Sequence, residues 1–502
     1  METKQENKGS TWAKLVRGII SILFLGIVIY FSRSQFSTDF WYDEVMSLEE
    51  FILVPISKTL TDYPAPNNHI FFNLLMNLWC KLWGINTFAQ AANNVFIVRL
   101  LPLMFAASTL MMLLNIEAKI TKQRVIGLSV FLLAVIPFYN TIGQVRGYGL
   151  SMLLCSVLLY FSYLFYHRPT KVKGALIVLF TALFLYTVPS NLYAVLSALV
   201  VLGFIFISQS YKYHVRIAIR FNAAKLMGCL LLGIALGVLL YLPVARQVVN
   251  NEYVKSEGLF RGEIWGEAGQ IFTYIFKPYY VLLLLIVLGL IVALVKKADL
   301  RVIGVLALLI VLPFVFSFIQ GGKPFDRTFL WISPLVVLLA ALFGEILYNY
   351  WIKNTVLSNA MWGLILIALM FSFDDARKDI DAQLTKGLIE GVRHQNIYYN
   401  YYLAHYHPQQ RLGDFKQKYY TDSIPVFLHE VDKYAMHGYL PIHGINWEPN
   451  TDKIAAVDRY FIITAFEDSA IADFKQYDTT FEFYRISGDI DFVNIIEATQ
   501  VE

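Results

Sequence analysis

The chain has 502 residues, of which 57% are hydrophobic, 16% aromatic and only 16% charged, with a mean hydropathy of +0.53. That balance excludes a soluble globular protein and describes a polytopic membrane protein. A thinly spread net charge of +4 excludes nucleic acid as a partner, and three cysteines, two of them (Cys155 and Cys229) inside apolar stretches, supply no disulfide framework.

The first apolar stretch, about 15–31, follows Lys4, Lys8, Lys14 and Arg17. Its length and the lack of a small-residue cleavage site predict an uncleaved anchor with a cytoplasmic N-terminus. A few residues beyond it stands Phe40-Trp41-Tyr42-Asp43-Glu44. Carboxylates returned to the lipid boundary cost several kcal/mol when poorly solvated, so acids kept there have partners or a task. The plainer alternative is a solvated pair between interfacial aromatics.

Next comes Tyr63-Pro64-Ala65-Pro66-Asn67-Asn68-His69, where prolines fix the chain's entry and Asn67, Asn68 and His69 cap backbone N–H groups or contact a ligand. From His69 to Trp83, Asn73, Asn77 and Lys81 interleave with Phe71, Phe72, Leu75, Leu78 and Leu82, the pattern of a helix lying along the interface. Counting it as a span would push the basic loops at 119–124 and 168–173 outside, so the first external loop is expected to run over 32–94.

Further spans are predicted at 96–116, 125–140, 148–166, 174–188, 191–208, 226–244, 279–295, 302–318, 330–349 and 355–373, about eleven crossings with the anchor. Their alternate connections carry Lys119/Lys122/Arg124, Arg168/Lys171/Lys173, Lys212/Arg216/Arg220/Lys225, Lys296/Lys297/Arg301 and Lys353, all of which then lie inside. The spans hold almost no ionisable residues apart from Glu345, which argues against a proton-coupled transporter.

Composition changes at Asp374-Asp375-Ala376-Arg377-Lys378. The chain therefore divides into a transmembrane domain, 1–373, and a polar extracytoplasmic domain, 374–502. Strands are expected at 424–429, 459–465 and 480–486 with a helix over 468–477, a small α/β domain. Tyr398, Tyr399, Tyr401, Tyr402 and Tyr406 suit sugar stacking or the bilayer surface. His405 and His407 would share one strand face but lack a clear third zinc ligand.

On the side of Asp43 and Glu44 this threading places the 63–69 segment, Arg99 in Val98-Arg99-Leu100-Leu101-Pro102, Gln144-Val145-Arg146-Gly147-Tyr148, and Lys323-Pro324-Phe325-Asp326-Arg327. Snorkelling to lipid is the plainer account of Arg99, and a surface ion pair that of Arg327. The mixed-charge loop at 245–278 is long enough to cover a site. A carboxylate with cations at the outer surface suits deprotonation of a nucleophile while a phosphate leaves. A lipid-linked phosphosugar meets that requirement without a nucleotide fold.

The ordered set over about residues 12–350 resembles the GT-C membrane glycosyltransferases, and more narrowly the bacterial glycosyltransferase family 39 group related to protein O-mannosyltransferases and aminoarabinose transferases. The resemblance implies a GT-C fold in a bacterial cytoplasmic membrane and inverting transfer from a polyprenyl-phosphate sugar to a protein, lipid or glycan acceptor. It implies Asp43 as catalytic base with Glu44 supporting it, and Asn67, Asn68, His69, Arg99, Arg146, Tyr148 and Arg327 as substrate-binding residues. Ile70 replaces the proline that follows His69 in many bacterial members, and Thr328 and Phe329 stand where an Arg-Tyr pair has its tyrosine. No metal or cofactor is expected. A polytopic transporter or lipid flippase is the alternative reading, and a non-catalytic scaffold a third.

Overall fold

A computed structural model describes residues 38–64, 66–121, 143–210, 217–251, 280–320, 326–352, 408–429, 433–464, 467–477, 480–486 and 494–500, with 19 and 26. Outside the described residues lie nearly all of the anchor, the spans at 125–140 and 355–373, most of the 245–278 loop, Lys323 to Phe325, the composition break at 374–378, and the tyrosines and histidines of 394–407. The chain forms two compact units. One comprises Met1–Ser32, Ser57–Leu75 and Leu100–Arg377, the other Arg33–Ile56, Met76–Arg99 and Lys378–Glu502.

Among the described residues, six helices are long and apolar enough to cross a membrane: Val95–Ile120, Tyr148–His167, Pro189–Ser208, Phe221–Val249, Arg301–Gln320 and Arg327–Tyr350. Each overlies a predicted span. The fold class read from the sequence, an α-helical polytopic membrane protein with a small α/β portion, is the one found. The helix Ile70–Leu82 has 13 residues, a length of about 20 Å, too short for a hydrocarbon core of about 30 Å. Leu78 and Leu82 are exposed on it while Asn73 and Asn77 are buried. Asn73 and Asn77 thus turn inward to protein partners, and Leu78 and Leu82 turn outward.

In the first unit, the helices Lys171–Thr187 and Ile217–Tyr241 pack at close range. A Cβ on Gly233 would lie 2.5 Å from that of Thr181, and one on Gly237 would lie 3.0 Å from Leu185 Cδ1. Glycines one turn apart let two apolar helices approach where no hydrophobic drive exists between them in lipid.

The second unit contains a four-stranded sheet of order β1-β2-β4-β3, formed by β1 (Val426–His429), β2 (Arg459–Thr464), β3 (Phe481–Arg485) and β4 (Asn494–Gln500). β1 and β2 are parallel, and β4 runs antiparallel to both β2 and β3. The helix Glu467–Lys475 follows β2 and contributes Ala470 and Phe474 to a core with Phe427, Tyr460, Ile462, Phe481 and Ile496.

Candidate active site

The predicted site residues divide between the units: Asp43, Glu44 and Arg99 belong to one, and Asn67, Asn68, His69, Arg146, Tyr148 and Arg327 to the other.

Asp43 and Glu44 sit in the first turn of the helix Tyr42–Ser47, where carboxylates oppose the positive end of the helix dipole. Glu44 Oε2, at the third position of the helix, reaches back to accept from the N–H of the N-cap Trp41 at 3.2 Å and so caps the helix start. Both acids are buried, Asp43 at 6% exposure and Glu44 at 0%. A π-helical turn, Leu48–Ile52, continues this helix, and its end is pinned by Asn77, whose amide donates to the carbonyls of Ile52 at 2.5 Å and Val54 at 2.8 Å.

Arg99, also buried, meets Glu44 through a fork, Nε to Oε1 at 3.2 Å and Nη2 to Oε2 at 2.7 Å. Its Nη1 donates to the carbonyl and hydroxyl of Thr38 at 2.9 and 3.0 Å, and Nη2 to the carbonyl of Asp39 at 3.0 Å. A guanidinium has five N–H donors, and here each has an acceptor inside the protein. The Phe40 ring lies 5.0 Å from the Arg99 carbon, giving the cation a π face as well. Glu49 was not singled out from the sequence, yet burial and the neighbouring Glu50 push its carboxyl up to about 7.

In the other unit, Asn68 acts as a staple. Its amide donates to the carbonyls of Thr59 at 3.0 Å and Asp62 at 2.7 Å, and its oxygen accepts from Asn73 at 2.9 Å. Gln247 holds the same segment from the helix Ala245–Val249, donating to the Thr61 carbonyl at 2.9 Å and accepting from the Tyr63 N–H. On this braced segment Asn67 accepts from Arg146 Nη1, and His69 Nδ1 accepts from the Gly147 N–H at 2.8 Å. The His69 ring meets the Tyr148 ring edge-on at 4.9 Å.

The Tyr148 hydroxyl accepts from Arg146 Nη2 at 3.3 Å and from Arg327 Nε at 3.0 Å. Two guanidinium groups meeting on one hydroxyl oxygen concentrate positive charge at a point. The buried Gln144 side-chain nitrogen, two residues from Arg146, has no hydrogen-bond partner among the described residues. Such an orphaned donor asks for an acceptor.

Gly147 belongs to this cluster as well. A Cβ there would fall 2.9 Å from the Cβ and Nδ1 of His69, so any side chain would displace the imidazole. A glycine flanked by Arg146 and Tyr148 was the available signal. The carbonyls of Thr38 and Asp39 carried none, because every residue has a carbonyl. Among the described residues, no three His, Cys, Asp or Glu side chains converge as a metal site.

Burial holds the His69 imidazole well below its usual range, and Arg146 and Arg327 push in the same direction. The unfolded chain takes up that proton near pH 6.5 whereas the folded chain resists it, so stability is full above that pH and falls below it. The loss reaches about 1.4 kcal/mol per pH unit. We expect the apparent Tm of the purified protein to drop between pH 7.5 and 5.5, and His69→Asn, whose amide oxygen still accepts from Gly147, to flatten that dependence. Parallel slopes in the two proteins would count against a buried neutral His69.

No family model matches the sequence, and no curated protein does. Among solved structures, the chain is similar to ArnT from Cupriavidus metallidurans bound to undecaprenyl phosphate, with 11% identity, a TM-score of 0.48 and coverage of 95% of this chain and 97% of that one. It is also similar to the oligosaccharyltransferase AglB from Archaeoglobus fulgidus in complex with an inhibitory peptide and a dolichol-phosphate, with 12% identity, a TM-score of 0.49 and coverage of 86% and 64%.

Proposed function

We propose that the chain transfers a sugar from a polyprenyl-phosphate donor to an acceptor on the outer face of a bacterial cytoplasmic membrane, with inversion and with Asp43 as base. The acceptor O–H or N–H gives its proton to the Asp43 carboxylate and forms a bond to the anomeric carbon. The bond from that carbon to the phosphate oxygen breaks, and its electron pair leaves with the polyprenyl phosphate, which Arg146 and Arg327 stabilise. The observation that carries this reading is the meeting of Arg146 and Arg327 on the Tyr148 oxygen beside a neutral His69. A neutral imidazole there donates through Nε2–H, because Nδ1 already accepts from Gly147.

Glu44 and Arg99 take a different part in this proposal. Arg99 is engaged at every donor by Glu44, Thr38 and Asp39, so it holds the acid-bearing segment, and Glu44 is its anchor. Asn67 orients Arg146, and Asn68 braces the segment that carries both Asn67 and His69.

The test is incubation of the purified full chain in nanodiscs with a panel of polyprenyl-phosphate hexoses and pentoses, following release of polyprenyl phosphate. One donor is expected to be consumed. Arg327→Ala is expected to raise the KM for that donor at least tenfold, about 1.4 kcal/mol of lost binding. Consumption of none, or an unchanged KM in the variant, would remove the basis of the assignment.

A further inference from the structure

The segment that carries Asp43 and Glu44 is gripped by residues about four hundred positions away in the sequence. The Tyr439 hydroxyl, fully buried, accepts from the Phe40 N–H at 2.6 Å and donates to the Phe40 carbonyl at 3.0 Å. One side chain thus satisfies both backbone groups of a single residue, as a neighbouring strand would. The Tyr439 ring lies edge-on to Phe88 at 5.2 Å, and Phe88 packs on Phe40 at 6.3 Å.

Beside Tyr439, Gly438 is in still closer contact. A Cβ there would lie 2.8 Å from the Phe88 ring and 3.0 Å from Val45 Cγ1. Val45 immediately follows Glu44 in the helix Tyr42–Ser47, so the helix Lys433–Ile442 touches that helix through its own backbone. Next in the segment, Asp39 Oδ2 accepts from the Gln409 N–H at 2.7 Å, in the first turn of the helix Pro408–Lys418. With Arg99 on the carbonyls of Thr38 and Asp39, every residue from Thr38 to Phe40 has a fixed backbone or side-chain partner.

We infer that the helix Lys433–Ile442 is a positioning element for Asp43 and Glu44, with Tyr439 and Gly438 as its positioning residues. The polar C-terminal region is then a working part of the acid site, neither a spacer nor a separate recognition module. Tyr439 touches no reacting atom. It fixes the peptide that leads into Trp41, the N-cap, and so sets where the Asp43 carboxylate stands. A misplacement of about 1 Å at such a group costs on the order of 100-fold in rate. The inference rests on the proposed role of Asp43 as base.

The test uses the full chain, wild type, Tyr439→Phe and Gly438→Ala. Amide hydrogen exchange over residues 38–47 reads the clamp without reference to any reaction, and both variants are expected to speed it at least tenfold while 148–167 is unchanged. With a consumed polyprenyl-phosphate sugar, kcat per polyprenyl-phosphate-binding site is expected to fall 10- to 100-fold, with the donor KM within twofold and the acid limb of the kcat–pH profile displaced. Unchanged exchange over 38–47 overturns the inference, and so does faster exchange with wild-type kcat. Should wild type consume no donor, the glycosyl-transfer reading fails, whereas the exchange result still decides whether the clamp exists. Should Tyr439→Phe not fold, Gly438→Ala, which leaves both Phe40 hydrogen bonds chemically possible, supplies the same readings.

Discussion

Asp43→Asn is expected to lower sugar transfer from the consumed polyprenyl-phosphate donor by about 1,000-fold or more, with little change in expression or in apparent Tm. The substitution keeps the size of the side chain and one acceptor oxygen but removes the basicity. A positioned general base contributes on the order of 100- to 10,000-fold, and the carboxamide retains none of that. The structural cost is small because the helix Tyr42–Ser47 takes its cap from Glu44 and its outside anchor from Arg99. Ser47 donates to the backbone carbonyl of Asp43 at 2.7 Å, a bond that the substitution leaves in place. Rate measurement alongside thermal unfolding separates the two effects. A variant that transfers sugar at the wild-type rate would exclude Asp43 as the base, and a variant that loses Tm in proportion to rate would make Asp43 an architectural residue.

The membrane-spanning helices were legible because twenty consecutive apolar residues admit few other structures in lipid. The strands at 459–464 and 481–485 and the helix at 467–475 were legible from periodicity. β4 was not, since Asn494-Ile495-Ile496-Glu497 breaks the alternation that marks a half-buried strand. It is the pairing of β4 with both β2 and β3 that fixes it, a tertiary cause.

In the site, the residue types were visible and their partners were not. Asn73 and Asn77 read as the polar side of an interfacial helix, yet they are buried and hydrogen-bonded to Asn68 and to the carbonyls of Ile52 and Val54. Their exposure pattern depends on what the remainder of the chain places against the helix, which periodicity does not encode. Tyr439 was wholly hidden for the same reason. Its partners are the backbone atoms of Phe40, 399 positions away, and a backbone group has no signature in sequence.

Arg99→Leu carries the largest expected loss of stability. The carboxylate of Glu44 is at 0% exposure, and Arg99 is its ion-pair partner at 2.7 Å. Removing one member of a buried pair leaves a desolvated charge and costs about 3–5 kcal/mol, a fall in apparent Tm on the order of 10 °C for a unit of this size. Arg99→Lys is expected to be intermediate. It keeps the charge but offers three donors from one point where Glu44, Thr38 and Asp39 present five acceptors in the plane of a fork.

The double variant Glu44→Gln/Arg99→Leu discriminates between charge and shape. It removes the stranded anion and keeps an oxygen for the Trp41 N–H, so it should recover at least about 1.5 kcal/mol relative to Arg99→Leu. The carbonyls of Thr38 and Asp39 still lack their donors in that protein, so recovery stops short of wild type. If the double variant is no more stable than Arg99→Leu, the Glu44 charge is not what Arg99 compensates. The loss then belongs to the five-acceptor scaffold that sets the path of residues 38–44, and Glu44 would be needed for its cap alone.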